Sequence, residues 1–245
     1  MLQQTQASRV VSKWLDFTAR FPTAVSCAAA PLGDVLRLWQ GLGYPRRARN
    51  LHNAAAVIAE FETFPNTLDQ LLALPGVGQY TARAVMAFAF EDHAAVVDTN
   101  IARVYARVVG RRLTAAEAQQ LADSAVPLGQ SWMWNQCLMD LGAVLCRPTN
   151  PGCQQCPLCN DCQWHGVGQD PAIGSAGVSV KQARFAGSDR QARGRILGLV
   201  AVRPTTIAAL AVSIDRPAVQ TERLVEGLRS DGLVFRSGEL VSMPD

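Results

Sequence analysis

Apolar positions over the first two thirds of the chain recur at helical spacing, and nothing there alternates with period two over a useful length. Val10, Val11, Trp14, Leu15 and Phe21 form the first stripe, which Pro22 stops. A second helix is predicted from about Gly33 to Gln40, and a third carries Ala48, Leu51, Ala55 and Ile58 on one face. Thr67 has the place of a cap on a short helix holding Leu68, Leu71 and Leu72, which ends at LPGVG. Another helix follows at once through Ala82, Val85, Met86 and Ala89. Asp98 stands as an N-cap ahead of Ile101, Val104, Tyr105 and Val108, and Thr114 to Glu117 (TAAE) is a capping box. A last helix, with Trp134, Leu138, Leu141 and Leu145, runs into a group of cysteines. The pattern predicts an all-α fold.

From about His165 to Gly187 the chain turns to Gly, Ala, Ser, Pro and Val without periodicity, which is linker composition. Beyond it come a helix through Ile196, Leu199 and Val200, a second through Ile207 and Leu210, and a third through Leu224, Val225 and Leu228. The final stretch, DGLVFRSGELVSM, alternates around a Ser-Gly turn and predicts a β-hairpin. Three short helices closed by a hairpin suggest a small winged-helix-like module. The expected division is a helical domain over 1–108, a cysteine-bearing domain over 109–165, a linker over 166–187 and the module over 188–245.

With 245 residues, 49% hydrophobic and 18% charged, the chain can bury a sizeable core. No apolar run is long enough to span a bilayer and no secretory leader is visible, so a cytoplasmic, nucleoid-associated protein is expected, without a membrane partner. A net charge of +3 allows an anionic partner without establishing one.

Seven cysteines are unevenly placed: Cys27 and Cys137 stand apart, while Cys146, Cys153, Cys156, Cys159 and Cys162 crowd together. In a reducing compartment such crowding points to a metal site rather than to disulfides. Four thiolates from one loop can converge on a cofactor whose positive charge offsets theirs. A structural zinc is one reading, although zinc ribbons pair one CxxC with another, and only Cys156 and Cys159 form such a half.

In LPGVGQYTA, Pro75 and Gly76 break the short helix, Val77 packs inward, and Gly78 lets backbone approach a ligand before the next helix starts. Exposed amides at that helix start make a phosphate site that needs no base contact, which describes a helix-hairpin-helix over about 67–90. A dinucleotide loop is the obvious confusion, because Gly76 and Gly78, like Gly41 and Gly43, fit G-x-G. Neither pair follows a predicted strand, and Thr81 or Arg46 stands where the third glycine belongs. Asp98, taken alone, is an N-cap. Arg103, Arg107 and Arg111 fall at i, i+4 and i+8, and Arg46, Arg47 and Arg49 cluster; such rows are solvated faces or, beside a hairpin, trackers of phosphates.

MLQQTQ, GLGY, RARNLH, LPGVGQYTA, VVDTN and NQCLMDLGA, in that order, resemble the signatures of the MutY-type adenine DNA glycosylases of the endonuclease III superfamily. The resemblance covers nearly everything from Met1 to Cys162. It implies a helix-hairpin-helix glycosylase core that acts as a monomer on double-stranded DNA carrying adenine opposite 8-oxoguanine or guanine. It also implies a [4Fe-4S] cluster held by Cys146, Cys153, Cys156 and Cys162, with Cys159 an extra cysteine. Asp98 would stabilise the positive charge that develops on the sugar as the base departs, or act as transient nucleophile, with Asn100 and Tyr80 assisting. Lyases of the superfamily carry a Schiff-base lysine where Tyr80 stands, so the implied chemistry is hydrolysis by water. Gln4 and Thr5 match positions that contact 8-oxoguanine, Leu42 and Tyr44 the wedge that enters the base stack, and Gln136 a polar residue of the base pocket. Each also fits a plain structural role. Arg46 and Arg47, with Gly76, Val77 and Gly78, would hold the DNA backbone.

Two departures qualify the resemblance. The Nudix-like domain of many members is replaced by the winged-helix-like module. The glutamate that protonates adenine in the family lies two residues ahead of the methionine of MLQQTQ, so the chain by itself is expected to cleave adenine slowly, if at all, and to fold poorly. Competing readings are an endonuclease III-like lyase for oxidised pyrimidines, a non-catalytic DNA-binding scaffold, and a zinc-stabilised regulator.

Overall fold

The computed structural model describes residues 1–2, 5–178 and 184–245, and Gln4 therefore lies outside the described residues. Twelve α-helices are formed among them: α1 (Ala7–Arg20), α2 (Ala24–Ala28), α3 (Leu32–Leu38), α4 (Arg46–Ile58), α5 (Leu68–Leu72), α6 (Gln79–Ala89), α7 (Thr99–Val108), α8 (Ala115–Ala125), α9 (Ser131–Val144), α10 (Asp189–Val202), α11 (Ile207–Ile214) and α12 (Ala218–Ser230). A 3₁₀ turn at Cys153–Gln155 and three short strands, β1 (Thr205–Thr206), β2 (Phe235–Ser237) and β3 (Leu240–Ser242), complete the described elements. No helix among the described residues is long and apolar enough to cross a membrane.

Several starts and stops follow from local chemistry. Thr67 with Gln70, and Thr114 with Glu117, close reciprocal capping boxes, so α5 and α8 begin where their side chains satisfy the first free amides. Thr23 and Ser26 form a third box and start α2, a five-residue helix too short to leave a hydrophobic period.

The chain divides into two compact units, and the division is not the one the sequence suggests: one comprises Met1–Pro65, Leu74–Gly76 and Ala183–Asp245, the other Asn66–Ala73 and Val77–Gln182. In the first unit the C-terminal module shares a core with the N-terminal helices. Val35, Leu36 and Trp39 of the N-terminal segment and Ile196, Leu210, Leu228, Leu233 and Val241 of the module belong to one buried cluster. The module therefore does not form a separate domain after a linker; burying its apolar face together with α1–α4 leaves it no independent core. Its topology is that of a winged helix, α10-β1-α11-α12-β2-β3, with the antiparallel sheet in the order β1-β3-β2 and Arg236 opposite Val241. The two-residue β1 has no periodic signature and escapes sequence reading.

The apolar stripe of α1 is only partly buried. Val10 and Phe17 enter the core, whereas Val11, Trp14 and Leu15 remain exposed.

In the second unit, α7, α8 and α9 enclose a core built on Ile101, Val104, Ala118, Ala122 and Leu138. The first part of the expected linker belongs to this unit as well. Ala172 is buried in that core, Ser175 Oγ accepts from the Leu113 amide at 3.1 Å, and the Ala176 amide donates to the Leu113 carbonyl at 2.9 Å.

Candidate active site and DNA-contacting elements

Asp98 is held by the helix it begins. As N-cap of α7, its Oδ1 accepts the amides of Asn100 at 2.9 Å and Ile101 at 2.7 Å, while Oδ2 accepts Asn100 Nδ2 at 3.2 Å. These three donors fix the plane of the carboxylate and leave Oδ2 with unused lone pairs. Capping thus sets the orientation of a half-buried carboxylate.

Three side chains aim the segment ahead of Asp98. Asn135, 1% exposed on α9, accepts the Val96 amide at 2.8 Å and donates to the Ala94 carbonyl at 2.9 Å. Ser131 Oγ accepts the Ala94 amide at 3.2 Å, and Gln119 donates to the Ala95 carbonyl at 3.2 Å. The strand-like run before Asp98 is thereby stapled to α8 and α9 through side chains, in the absence of a sheet partner. Sequence reading missed Asn135 and Ser131. The available signal was the spacing of Ser131 and Asn135, four residues apart and so on one face of α9.

Gly142 performs the complementary task on α9. A Cβ there would sit 2.6 Å from Asn100 Cβ, so only glycine lets α9 approach the first turn of α7 this closely. Gln136, by contrast, is half-buried and donates to Asp140 at 3.2 Å along its own helix.

Tyr80 lies in the first turn of α6, close enough to Asp98 for that carboxylate's charge to act on it. Burial first, and the negative Asp98 second, raise the phenol above its ordinary range, so Tyr80 stays a neutral hydrogen-bond donor. Gly76 takes a positive φ of 77°, and the start of α6, capped by Gly78 without a side-chain bond, leaves amides for an anionic ligand. Nothing lies within 4 Å of where a Gly78 Cβ would be, so the backbone there is open. A Cβ on Gly76 would collide with the side chain of Asn50.

The arginine row of α7 corrects the phosphate-tracking expectation. Arg103 is 3% exposed and Arg107 1%, and both point into the protein. Arg103 donates to the carbonyls of Gly142 at 2.7 Å and Cys146 at 2.8 Å and to Asn100 Oδ1 at 2.8 Å. Arg107 pairs with Asp170 at 2.6 Å, donates to the Arg147 carbonyl at 2.8 Å and to Cys146 Sγ at 3.3 Å, and stacks on Trp164. Burial opposes both charges of the pair, yet Asp170 and Cys146 keep the guanidinium charged, and Arg107 keeps Asp170 below the usual carboxylate range. The reason is tertiary: the carbonyls at the end of α9 and the Asp170 carboxylate offer buried acceptors that a sequence row does not reveal. Arg111 alone of the three is on the surface, paired with Glu117 at 2.7 Å.

Cys146, Cys153, Cys156, Cys159 and Cys162 all line one cavity of about 30 Å³, with Arg107, Trp164 and His165 in its wall. Among the described residues no group of three or more His, Cys, Asp or Glu is arranged to hold a single metal ion. Five thiols around one cavity, with a guanidinium in its wall to offset their charge, are a donor set that a cysteine-held metal cofactor fits.

In the first unit, the turn Gly41–Tyr44 is built to present one side chain. Gly41 and Gly43 have φ of 90° and 71°, and Tyr44 itself adopts φ 48°, unusual for a non-glycine residue. Thr5 Oγ1 donates to the Leu42 carbonyl at 3.1 Å, Trp39 Nε1 to the Gly43 carbonyl at 3.0 Å, and Arg47 to both carbonyls at 3.1 and 3.3 Å. Tyr44 is 41% exposed at this fixed turn, whereas Leu42 is 3% exposed and packed in the core. Of the two expected wedge residues, only Tyr44 stands out from the surface. Arg47 also departs from expectation: its guanidinium lies between Trp39 and Tyr44 and serves the turn, and burial lowers its pKa. Arg46 is exposed but paired with Asp231 at 2.6 Å.

Residues 1–127 match the HhH-GPD superfamily base excision DNA repair protein family. The chain belongs to this superfamily. It is 41% identical over 247 residues to the adenine DNA glycosylase of Mycobacterium tuberculosis (strain H37Rv), covering 97% of this chain and 80% of that protein. The human adenine DNA glycosylase is 39% identical over 196 residues, or 73% of this chain and 35% of the human protein. Since the mycobacterial match takes in 97% of the chain, it includes nearly all of the winged-helix module. Among solved structures, a thermostable thymine-DNA glycosylase superposes with a TM-score of 0.61 at 29% identity, over 67% of this chain and 80% of that one. A trapped endonuclease III–DNA covalent intermediate gives a TM-score of 0.61 at 25% identity over the same shares.

Proposed function

We propose that this base excision repair glycosylase hydrolyses the N-glycosidic bond of adenine in duplex DNA, with adenine opposite 8-oxoguanine or guanine as its substrate. The observation that carries the reading is the capped, oriented carboxylate of Asp98 with the neutral phenol of Tyr80 near it and no amine nucleophile in the hairpin. The chain has two lysines, Lys13 and Lys181, and neither lies in the hairpin or in the segment leading to Asp98.

As the glycosidic bond breaks, its electron pair leaves with the base and positive charge develops on the sugar. Asp98 stabilises that charge through Oδ2, and its fixed orientation means little reorganisation is needed during the reaction. Asn100 holds Oδ2 in place, and Tyr80 stays a neutral donor near it. Water then adds to the sugar and the proton it loses ends on the departed base, leaving free adenine and an abasic site. The amides at the start of α6 take a backbone phosphate, Tyr44 is the side chain offered to the base stack, and Thr5 supports its turn.

Cys146, Cys153, Cys156 and Cys162 would hold a [4Fe-4S] cluster that binds the loop after α9 into one piece. Arg107 orients that loop through the Arg147 carbonyl and Cys146 Sγ. An enzyme of this kind works as a monomer at the nucleoid.

Product analysis tests the reading. A duplex with one adenine opposite 8-oxoguanine should release free adenine, and its strand should break only after alkali, with no adduct trapped by borohydride. A borohydride-trapped adduct would favour the lyase reading instead. Brown protein with an iron-to-protein ratio near four supports the cluster; colourless protein containing zinc contradicts it.

A further inference from the structure

The winged-helix module presents no free row of cations on its second long helix. On the exposed side of α12, Arg223 pairs with Asp189 at 2.7 Å and Arg229 with Glu226 at 2.7 Å, while Glu222 takes Arg236 of the hairpin at 3.0 Å. A surface whose charges are already neutralised has few counterions to exchange on meeting DNA.

The end of the same helix does something else. Asp231, at the C-cap of α12 and only 8% exposed, directs its carboxylate at Arg46 and Arg193, and its carbonyl accepts from Arg49. Burial opposes the charge of this carboxylate, but the two guanidinium partners outweigh burial and hold it below its usual range. α4 needs such a group. It opens with Arg46, Arg47 and Arg49, has Pro45 as its N-cap with no side-chain bond, and carries no acidic residue in its first turn. Three cations at a helix start oppose the helix dipole, and a carboxylate there is favourable. Its own sequence lacks that carboxylate, and α12 delivers it.

The first turn of α4 also governs the presented tyrosine. Arg47 donates to the carbonyls of Leu42 and Gly43, its amide donates to the Tyr44 carbonyl at 2.9 Å, and the Ala48 amide donates to the Pro45 carbonyl at 3.0 Å. Further along the helix, Asn50 accepts from Arg49 at 3.5 Å and lies against Gly76. One carboxylate thus holds the helix start that carries the Gly41–Tyr44 turn.

We propose that Asp231 is a positioning residue for the Gly41–Tyr44 turn, and that the winged-helix module braces this DNA-facing turn rather than reading DNA with α12. The DNA-facing role of the turn rests on the function proposed above; the brace itself does not.

The full chain carrying Asp231→Asn tests it by two readouts. Hydrogen exchange of the Arg47 and Ala48 amides should accelerate at least tenfold while that of α11 stays unchanged; unchanged exchange at Arg47 and Ala48 overturns the brace whatever the enzyme does. Under saturating duplex, the single-turnover rate of adenine release should fall at least tenfold. Affinity for an undamaged duplex should hold or rise, with a salt slope steeper by about 0.9 as Arg46 becomes free for one phosphate. A saturating rate within twofold of wild type overturns the positioning role. Should the wild type release no adenine, the functional reading fails and the exchange result still decides the brace. If Asp231→Asn does not fold, Arg46→Gln, which leaves the Arg193 pair in place, should show the same two changes, and a wild-type response from it overturns the proposal. The double substitution Arg223→Ala and Arg229→Ala should leave the salt slope unaltered; a slope shallower by about 1.8 means that α12 does bind DNA, and the brace-only role is wrong.

Discussion

Replacing Asn135 by leucine keeps the volume of the side chain and removes its hydrogen-bonding capacity. Two buried backbone groups then lose their partner, the Val96 amide at 2.8 Å and the Ala94 carbonyl at 2.9 Å. Leaving a buried polar group unsatisfied costs about 1–3 kcal/mol, so the pair together cost about 3 kcal/mol after partial relaxation. For a chain of this size each kcal/mol is worth about 2–4 °C, and the melting temperature should fall by about 6–12 °C. The consequence for chemistry is separate. The released segment ends at Asp98, and a displacement of about 1 Å at a reacting group can cost about 10²-fold in rate. Melting followed by circular dichroism, exchange of the Val96 amide and single-turnover base release are the three assays. A melting temperature within about 2 °C of wild type, together with an equally protected Val96 amide, would refute the staple.

Three further outcomes follow from the same geometry. Arg107→Ala should destabilise the second unit by about 3–5 kcal/mol, because it leaves the Asp170 carboxylate without its cation, and should lower retention of iron on purification; melting and iron content check both. Gly142→Ala places a Cβ 2.6 Å from Asn100 Cβ and should slow base release while leaving affinity for undamaged duplex unchanged, as read by single-turnover rates beside binding isotherms. Glu117 is held down to about 2 from 4.5 by the Thr114 backbone and hydroxyl and by Arg111, so its contribution is complete above about pH 4.5 and is lost as the pH falls towards 2. Glu117→Gln should flatten that part of the acid unfolding profile, and an identical profile would contradict the assignment.

What the sequence discloses here is mostly local. Thr67, Asp98 and Thr114 are legible as caps because an N-cap needs only its own side chain and the next three residues. The cysteine loop is legible because its ligands are close in sequence. Arg103 and Arg107 mislead because an i, i+4 row of arginines looks like a solvated face, and the acceptors that make burial tolerable lie about forty to sixty residues away. Leu42 and Arg47 mislead for a related reason: a glycine-rich turn reads as exposed, yet here its carbonyls are bonded and one of its two large side chains is packed inward. The joining of the C-terminal module to the N-terminal helices is invisible to any window along the chain. Its expected linker composition is real, but Asp170, Ala172 and Ser175 within it have specific buried partners.

In the proposed reaction Asp98 acts on the sugar and does not merely begin a helix. Asparagine caps a helix about as well as aspartate, so Asp98→Asn keeps the cap and removes the charge. On a duplex with adenine opposite 8-oxoguanine, the substitution should leave the melting temperature near that of wild type and lower the single-turnover release of adenine by about 10²–10³-fold. Release by Asp98→Asn at the wild-type rate, with the fold intact, would leave Asp98 as a helix cap alone.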